Sequence, residues 1–554
     1  MNGAHGRSAV RVSPALVSAV AIIAVTAIWY APTIHDYFLQ DDFGVVGLLS
    51  QKPALFFPHW FVAPWTENIW GYVPDEIRPF PALSYQIAGA FGPASPEPNH
   101  LINIALHAAN GLLVMGIAEA AAGLAVPSAA LAGLVFVLLP IQAQSVAWVT
   151  GRVDSLPAFF YFASFLLFVR WRRYSRPSTY VWSLVLFFAA LFSKQNTITM
   201  APALLLFDVI VDRRLPRAGS QNEAASAPVR WWKWIRPYLP YAVLTFGFLL
   251  LRYVLFHEVA RENLLTAQRV REFLSDSSRH LVRLVFGGDG IRHWTLRDSG
   301  IVAVGFAAVA VIAARFARSA ISNLWGSAVY FGIVWIVLGM APILVSGYYS
   351  PRHMYLASLG WAVLLGIAFE GIWRAESLRY ARATAALAGA AILFVYAVQL
   401  RHVVGEWNAM AATSRAASAG VEHEAASEPD GTLVIVGVPT TSWAFAVPHA
   451  LRPPFASRDL TQHLLVVSDS SLHCCDAVQW NQYTRQTLRA WQERADRPPV
   501  VAMYWNPETG RLTRVSDRDD PQLRTLVSLL IATDSRETLD SAIRGLLANF
   551  VGVR

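Results

Sequence analysis

Charge is what this sequence has least of: 15% of its 554 residues are Asp, Glu, Lys or Arg, against 55% hydrophobic, and the mean hydropathy is +0.39. That balance is too apolar for an average soluble chain and leaves much of the surface for lipid to cover. Cysteine is nearly absent. The two present, Cys474 and Cys475, are adjacent, so a bond between them would close a strained small ring; neither a disulfide framework nor a zinc site is indicated, and they read as free or reactive thiols. Period-two alternation is missing as well, since the apolar runs are long and continuous, which sets a β-barrel aside. No internal repeat and no low-complexity tract is present. The net charge of +8 implies no nucleic acid, because Arg and Lys cluster in short segments between apolar runs, as cytoplasmic loops would carry them.

What the chain does have is a succession of apolar segments of about 20 residues, the length at which a helix crosses a bilayer with its backbone satisfied internally. The first, at 14–34, follows Arg7 and Arg11, is longer than a signal-peptide core and lacks a small-x-small cleavage site. It reads as a retained signal anchor with its N-terminus in the cytoplasm. Further helices are predicted at 101–118, 128–149, 156–171, 180–192, 197–211, 238–256, 301–314, 324–345, 354–373 and 383–400, about eleven spans in all. The inner loops then hold Arg170, Arg172, Arg173 and Arg176, next Arg213, Arg214, Arg217, Arg230, Lys233 and Arg236, then Arg315 and Arg318, and finally Arg374, Arg379 and Arg382. Every inner loop except the short one after Ala118 meets the positive-inside rule, and an odd helix count places everything after Leu400 outside.

The expected fold is therefore an α-helical polytopic membrane protein with a small extracytoplasmic α+β domain at its C-terminal end. Residues 1–404 form the transmembrane module, with outer loops at 35–100 and 257–300, and residues 405–554 form the outer domain. Within the second outer loop, 269–286 has apolar residues at helical spacing and many basic ones, the pattern of a helix lying along the membrane interface. The C-terminal region shows β-like runs at 432–438, 464–467 and 500–504, a turn at Asn506-Pro507-Glu508-Thr509-Gly510, and helical patterns at 522–532 and 538–550. Ser442, Trp443, Phe445, His449 and Arg452 in this region form no motif.

Chemistry is expected on the outer side. The first outer loop opens with Gln40-Asp41-Asp42-Phe43, and two carboxylates at a membrane surface can serve as general base toward a hydroxyl or ligate a divalent cation, with burial raising the pKa into a useful range. The plainer alternative is that one of them caps the next short helix. Arg78, Arg152, Lys194 and Arg352 fall in the outer loops against the topology rule. Each alone could snorkel to headgroups, but four together suggest an anion site, with phosphate the natural ligand. Asn99, His100, Asn103, His107 and Asn110 stand at and within the second helix, and Asn103 and His107, four apart, share a face that points into the bundle. Interhelical hydrogen bonding accounts for them most simply, and His107 alone makes no metal site.

The ordered series Asp41-Asp42, Arg78-Pro79-Phe80, Asn99-His100 with Asn103 and His107, Trp148-Val149-Thr150-Gly151-Arg152-Val153-Asp154, Ser193-Lys194-Gln195 and Arg352-His353-Met354-Tyr355-Leu356 resembles the GT-C superfamily of integral-membrane glycosyltransferases. Within it, the look-alikes are protein O-mannosyltransferases and the transmembrane tetratricopeptide-repeat O-mannosyltransferases. The resemblance covers about residues 14 to 400. It implies a hexosyl- or pentosyltransferase, commonly inverting, that takes a sugar from a polyprenyl-phosphate carrier to the hydroxyl of a protein, lipid or glycan acceptor on the extracytoplasmic face. By position it makes Asp41 or Asp42 the base, Arg78, Arg152, Lys194 and Arg352 ligands of the donor phosphate, and Asn99, His100, Asn103, His107, Asp154 and Tyr355 supporting polar groups. Similar enzymes divide over metal dependence; a cation such as Mg2+ or Mn2+ would fall to Asp41 and Asp42. Gln195 stands where similar sequences often have Glu, and a different outer region takes the place of the repeats. Together with an Arg- and Ala-rich style, the resemblance points to a bacterial inner membrane, although the endoplasmic reticulum would satisfy the same topology. The rival readings are a transporter of a lipid or small solute, since a many-helix bundle with the odd proline (Pro140, Pro202, Pro342) could alternate access, and a scaffold anchored by its helices. The informative charges at the outer surface rather than the midplane weigh against the first, and eleven spans are far more than the second requires.

Overall fold

The computed structural model describes residues 13–70, 74–211, 235–259, 266–287, 323–345, 350–375, 379–443, 446–447, 449–468 and 486–532. The helices expected at 301–314 and 538–550, the arginines at 7 and 11, all of the inner-loop cations from 213 to 233 and at 315 and 318, Phe445 and both cysteines lie outside the described residues. Runs of Leu, Val, Ala and Phe make up most of the long helices among the described residues. Six of these among the described residues are long and apolar enough to cross a membrane: Pro14–Thr33, Pro96–Ala120, Arg152–Tyr174, Leu239–Phe256, Gly326–Leu344 and Ala381–Glu424. The chain is an integral membrane protein of mostly helical structure. Pro177–Leu191, Gln195–Ile210 and Ser358–Trp373 are shorter apolar helices.

Two elements differ from expectation. The single span expected at 128–149 is broken into Val126–Leu138 and Pro140–Ala147, bent by 52°. Pro140 has no N–H to donate and its ring excludes the carbonyl four residues before it, so the helix stops at Leu138, two residues before it. The pair makes a seventh span if it is counted as one. The helix expected at 383–400 runs instead over Ala381–Ala425; the residues after 400 are polar but helix-compatible, and no proline occurs before Pro429.

By contacts the chain divides into two compact units. The first comprises Met1–Ala31, Ile104–Gln144 and Asp154–Val403. Here the first helix meets glycines: a Cβ on Gly111 would lie 2.9 Å from Ile22, and one on Gly133 would lie 2.6 Å from it, so bare Cα atoms allow the close approach. The amphipathic segment forms the helix Ala267–Phe286. Thr266 caps it by accepting from the backbone N–H of Arg269 at 3.2 Å, Ser277, His280 and Leu284 turn inward, and Gly287 at φ +75° ends it.

The second unit comprises Pro32–Asn103, Ser145–Val153 and Val404–Arg554. The three β-like runs form strands β1 (Leu433–Gly437), β2 (Leu465–Ser468) and β3 (Val500–Asn506), and a fourth, β4 (Arg511–Arg514), follows the Asn506–Gly510 turn. Their order is β2-β1-β3-β4, with β1 parallel to β2 and β3, and β3 antiparallel to β4. Alternate residues divide between the two faces. Leu433, Ile435, Val467, Val500 and Ala502 meet Leu523, Leu526, Val527 and Leu530 of the helix Pro521–Ala532. Val434, Val436, Val466, Val501 and Met503 share a core with Phe38, Phe43, Val46, Leu49, Trp60, Trp65 and Tyr85 of the first outer loop. Sheet and loop thus bury one another's apolar faces within this unit.

Candidate functional site

Asp41 and Asp42 open the short helix Asp42–Leu49, but neither caps it through its side chain: Asp41 occupies the N-cap position without a side-chain capping bond. The two carboxylates have different surroundings. Asp41 is half-buried, whereas Asp42 is only 1% exposed. One Asp42 oxygen accepts from the backbone N–H of Thr150 at 2.7 Å and from its hydroxyl, and the other accepts from the N–H of Leu39 at 2.9 Å. The Trp148 indole adds a bond to the Leu39 carbonyl at 3.3 Å. Asp42 therefore ties the turn at 39–42 to the segment at 148–152.

Burial pushes the Asp42 carboxyl up to about 7, against the three hydrogen bonds that favour its charged form and with a small contribution from Asp41. A folded-state value above the ordinary 3.8 means that this group's stabilising contribution is complete below about pH 4 and is lost as pH rises through 7. The wild-type protein is accordingly expected to lose melting temperature relative to Asp42→Asn between about pH 4 and pH 8. Parallel curves over that range would show that Asp42 does not titrate there.

Arg152 has no exposed surface. Its Nε donates to Asn103 Oδ1 at 2.8 Å, one terminal nitrogen to Ser84 Oγ at 3.1 Å, and the other to the Asn99 carbonyl and side-chain oxygens at 2.8 and 3.0 Å. The guanidinium also lies over the Tyr85 ring at 4.4 Å. Asn103 in turn donates to the carbonyls of Val146 and Trp148 at 3.2 and 3.0 Å, which are orphan acceptors where the short helix Ala143–Ala147 ends. His100 Nε2 reaches the Asp36 carbonyl at 3.1 Å. Arg78 pairs with Glu76 at 2.9 Å and stacks on Trp65, whose indole N–H holds the other Glu76 oxygen at 2.9 Å. All of these residues belong to the second unit.

The first unit carries the other candidates. Asp154 is buried, ion-paired with Lys194, and 3.6 Å from Arg352 Nε. Gln144 accepts from the Arg352 backbone N–H at 3.2 Å and from Ser350 Oγ at 2.7 Å, fixing the segment that presents Arg352. Tyr355 donates its hydroxyl to His107 Nδ1 at 2.7 Å, because His107 Nε2 faces the Val137 carbonyl at 3.2 Å and must carry the proton. Asn110 donates to the same hydroxyl at 3.0 Å and to the Ser155 carbonyl at 2.9 Å. Both ring nitrogens of His107 are thereby used in hydrogen bonds between segments.

Thr150, Glu76, Ser84 and Gln144 were not singled out from sequence. Thr150 lies within the Trp148–Asp154 run and Glu76 stands two residues before Arg78, but nothing local marks either as a partner. Among the described residues, no group of three or more His, Cys, Asp or Glu could hold a metal ion.

No family model matches the chain. In sequence it is similar to protein O-mannosyl-transferases, so the resemblance carried by the ordered motifs to O-mannosyltransferases is borne out. It is 30% identical over 168 residues to the mouse protein O-mannosyl-transferase TMTC2, covering 27% of this chain and 20% of the relative. With the human protein O-mannosyl-transferase TMTC4 it shares 28% identity over 177 residues, covering 26% of this chain and 23% of that one. The chain thus spans about a fifth of the length of the curated relatives it matches. Among solved structures, ArnT from Cupriavidus metallidurans bound to undecaprenyl phosphate is 15% identical, with a TM-score of 0.49 over 89% of this chain and 93% of ArnT.

Proposed function

We propose that this chain is a GT-C-type glycosyltransferase that moves a sugar from a polyprenyl-phosphate carrier to an acceptor hydroxyl on the extracytoplasmic face, with Asp41 as general base. The observation that carries the reading is the unequal environment of the two adjacent carboxylates. Asp42 is buried and spends both oxygens on Thr150 and Leu39, so it positions the loop, while Asp41 beside it is half-exposed at the N-cap. In the reaction, Asp41 takes the proton of the acceptor hydroxyl as its oxygen attacks the anomeric carbon. The bond from that carbon to the phosphate oxygen breaks with inversion, and the carrier phosphate leaves as an anion.

Lys194 and Arg352 are assigned to the departing phosphate, supported by the resemblance and by their convergence on the carboxylate of Asp154. Arg152 has its donors engaged and is assigned to positioning, with Asn99 and Asn103; Arg78 would share any phosphate with Glu76. A cation of the Mg2+ or Mn2+ kind does not fit Asp41 and Asp42 as they stand, because both Asp42 oxygens face protein donors.

The topology belonging to this reading has about eleven spans, the N-terminus in the cytoplasm, and the region after residue 404 outside a bacterial inner membrane. The test is transfer of labelled sugar from a panel of polyprenyl-phosphate donors by the purified protein in detergent, with and without a chelator, the latter arm reporting whether a cation takes part. Transfer or donor hydrolysis supports the reading. No turnover of any donor by correctly folded protein overturns it in favour of a transporter.

A further inference from the structure

A cavity of about 240 Å3 opens beside the helix that Asp42 begins, and every wall belongs to the second unit. One wall is the face of that helix carrying Phe43, Gly47 and Leu48, and the other is the segment after His449, with Arg452 and Phe455. The Phe43 and Phe455 rings meet edge to face at 5.0 Å. A Cβ on Gly47 would stand 3.1 Å from the Phe455 ring, so the bare glycine lets that ring lie against the helix.

The polar feature of the cavity is Arg452, and its placement is unusual. It donates at 2.7 Å to His449 Nδ1, while His449 Nε2 donates to the Ile69 carbonyl at 3.0 Å. Burial and the neighbouring guanidinium press His449 down to about 3, so the imidazole stays neutral and holds Arg452 as a hydrogen-bond acceptor rather than as a counter-ion. No carboxylate pairs with Arg452 among the described residues. Lys52, the other cation in the lining, is 3.5 Å from Glu67. A guanidinium oriented by a neutral side chain at the edge of an aromatic-walled cavity keeps most of its fork for a ligand that supplies the negative charge.

We propose that this pocket is the subsite for a negatively charged group of the acceptor, a carboxylate or phosphate carried on an apolar or ring-shaped moiety, with Arg452 holding the anion and Phe43 and Phe455 packing on the moiety. The proposal rests on the glycosyltransferase reading and deepens it by giving the acceptor a chemical class. At 1.5 Å per residue, Gly47 and Leu48 lie about 8 to 9 Å along the helix axis from Asp42. The pocket thus extends along this helix from Phe43, the neighbour of Asp42, to Leu48, and binding energy spent on the anion there can orient the reacting hydroxyl.

The experiment is calorimetric titration of the full-length protein in detergent with phenyl phosphate, with benzoate, and with neutral phenyl glucoside. Wild type is expected to bind at least one aryl anion more tightly than the glucoside, and which of the two binds identifies the group as phosphate or carboxylate. Arg452→Gln should weaken that binding about tenfold or more, and Arg452→Lys, which keeps the charge but loses the fork, should fall between. Equal affinity in wild type and Arg452→Gln, or no aryl-anion binding by folded wild type, overturns the subsite even if sugar transfer is observed. Anion binding that Arg452→Gln abolishes, in a protein without sugar transfer, keeps the anion site and removes its role as an acceptor subsite.

Discussion

Asp41→Asn is expected to lower sugar transfer by about 10²–10⁴-fold, the usual contribution of a positioned general base, with little change in stability. Asp41 is half-buried and makes no side-chain capping bond, so the isosteric change removes no cap and alters no volume. What it removes is the negative charge that accepts the hydroxyl proton. Asp42→Asn should behave differently. Its amide would turn an N–H toward one of the backbone donors that now bond to the carboxylate, Thr150 or Leu39, so stability and activity should fall together. Initial rates of labelled transfer, read beside melting curves in detergent, separate the two. An Asp41→Asn protein that transfers at the wild-type rate would remove Asp41 from the role of base.

The largest expected effect on stability belongs to Asp154. Its side chain is 2% exposed, and those of Lys194 and Arg352 are 11% and 10% exposed. Asp154→Asn leaves both cations buried without their shared carboxylate, and breaking a buried ion pair in this way typically costs about 3–5 kcal/mol. Lys194→Met removes one of two cations and leaves Arg352 balanced by Asp154, so it should cost much less stability. It should instead raise the KM for the polyprenyl-phosphate donor, because the anion loses one of its counter-charges. Unfolding in detergent together with donor titrations checks both halves. Equal destabilisation by the two variants would mean that charge balance is not what holds the triad, and unchanged donor affinity in Lys194→Met would take Lys194 out of the phosphate site.

What could be read from the sequence alone is what local physics controls. An apolar run must become a helix in lipid because its backbone has no other partner, which is why Pro96–Ala120 and Leu239–Phe256 lie where the pattern put them. Pro140 breaks a helix by its own geometry, although the unbroken apolar composition around it hid the break. The strands β1 to β3 stand on runs of Val, Leu and Ile, and the whole ordered series from Asp41-Asp42 to the Arg352-His353 segment, with no single motif decisive, carried the family resemblance. Partnership needed the tertiary structure. Thr150 lies 108 residues from Asp42, and neither residue type announces the other; the same holds for the sheet that shares its core with the first outer loop. His449 and Arg452 formed no motif, because an arginine held by a neutral histidine has meaning only once burial has decided the histidine's charge and the fold has set Phe43 and Phe455 beside it. Long-range contacts of this kind are chosen by the packing of the whole unit, so the sequence named the residues and the tertiary structure decided which of them work together.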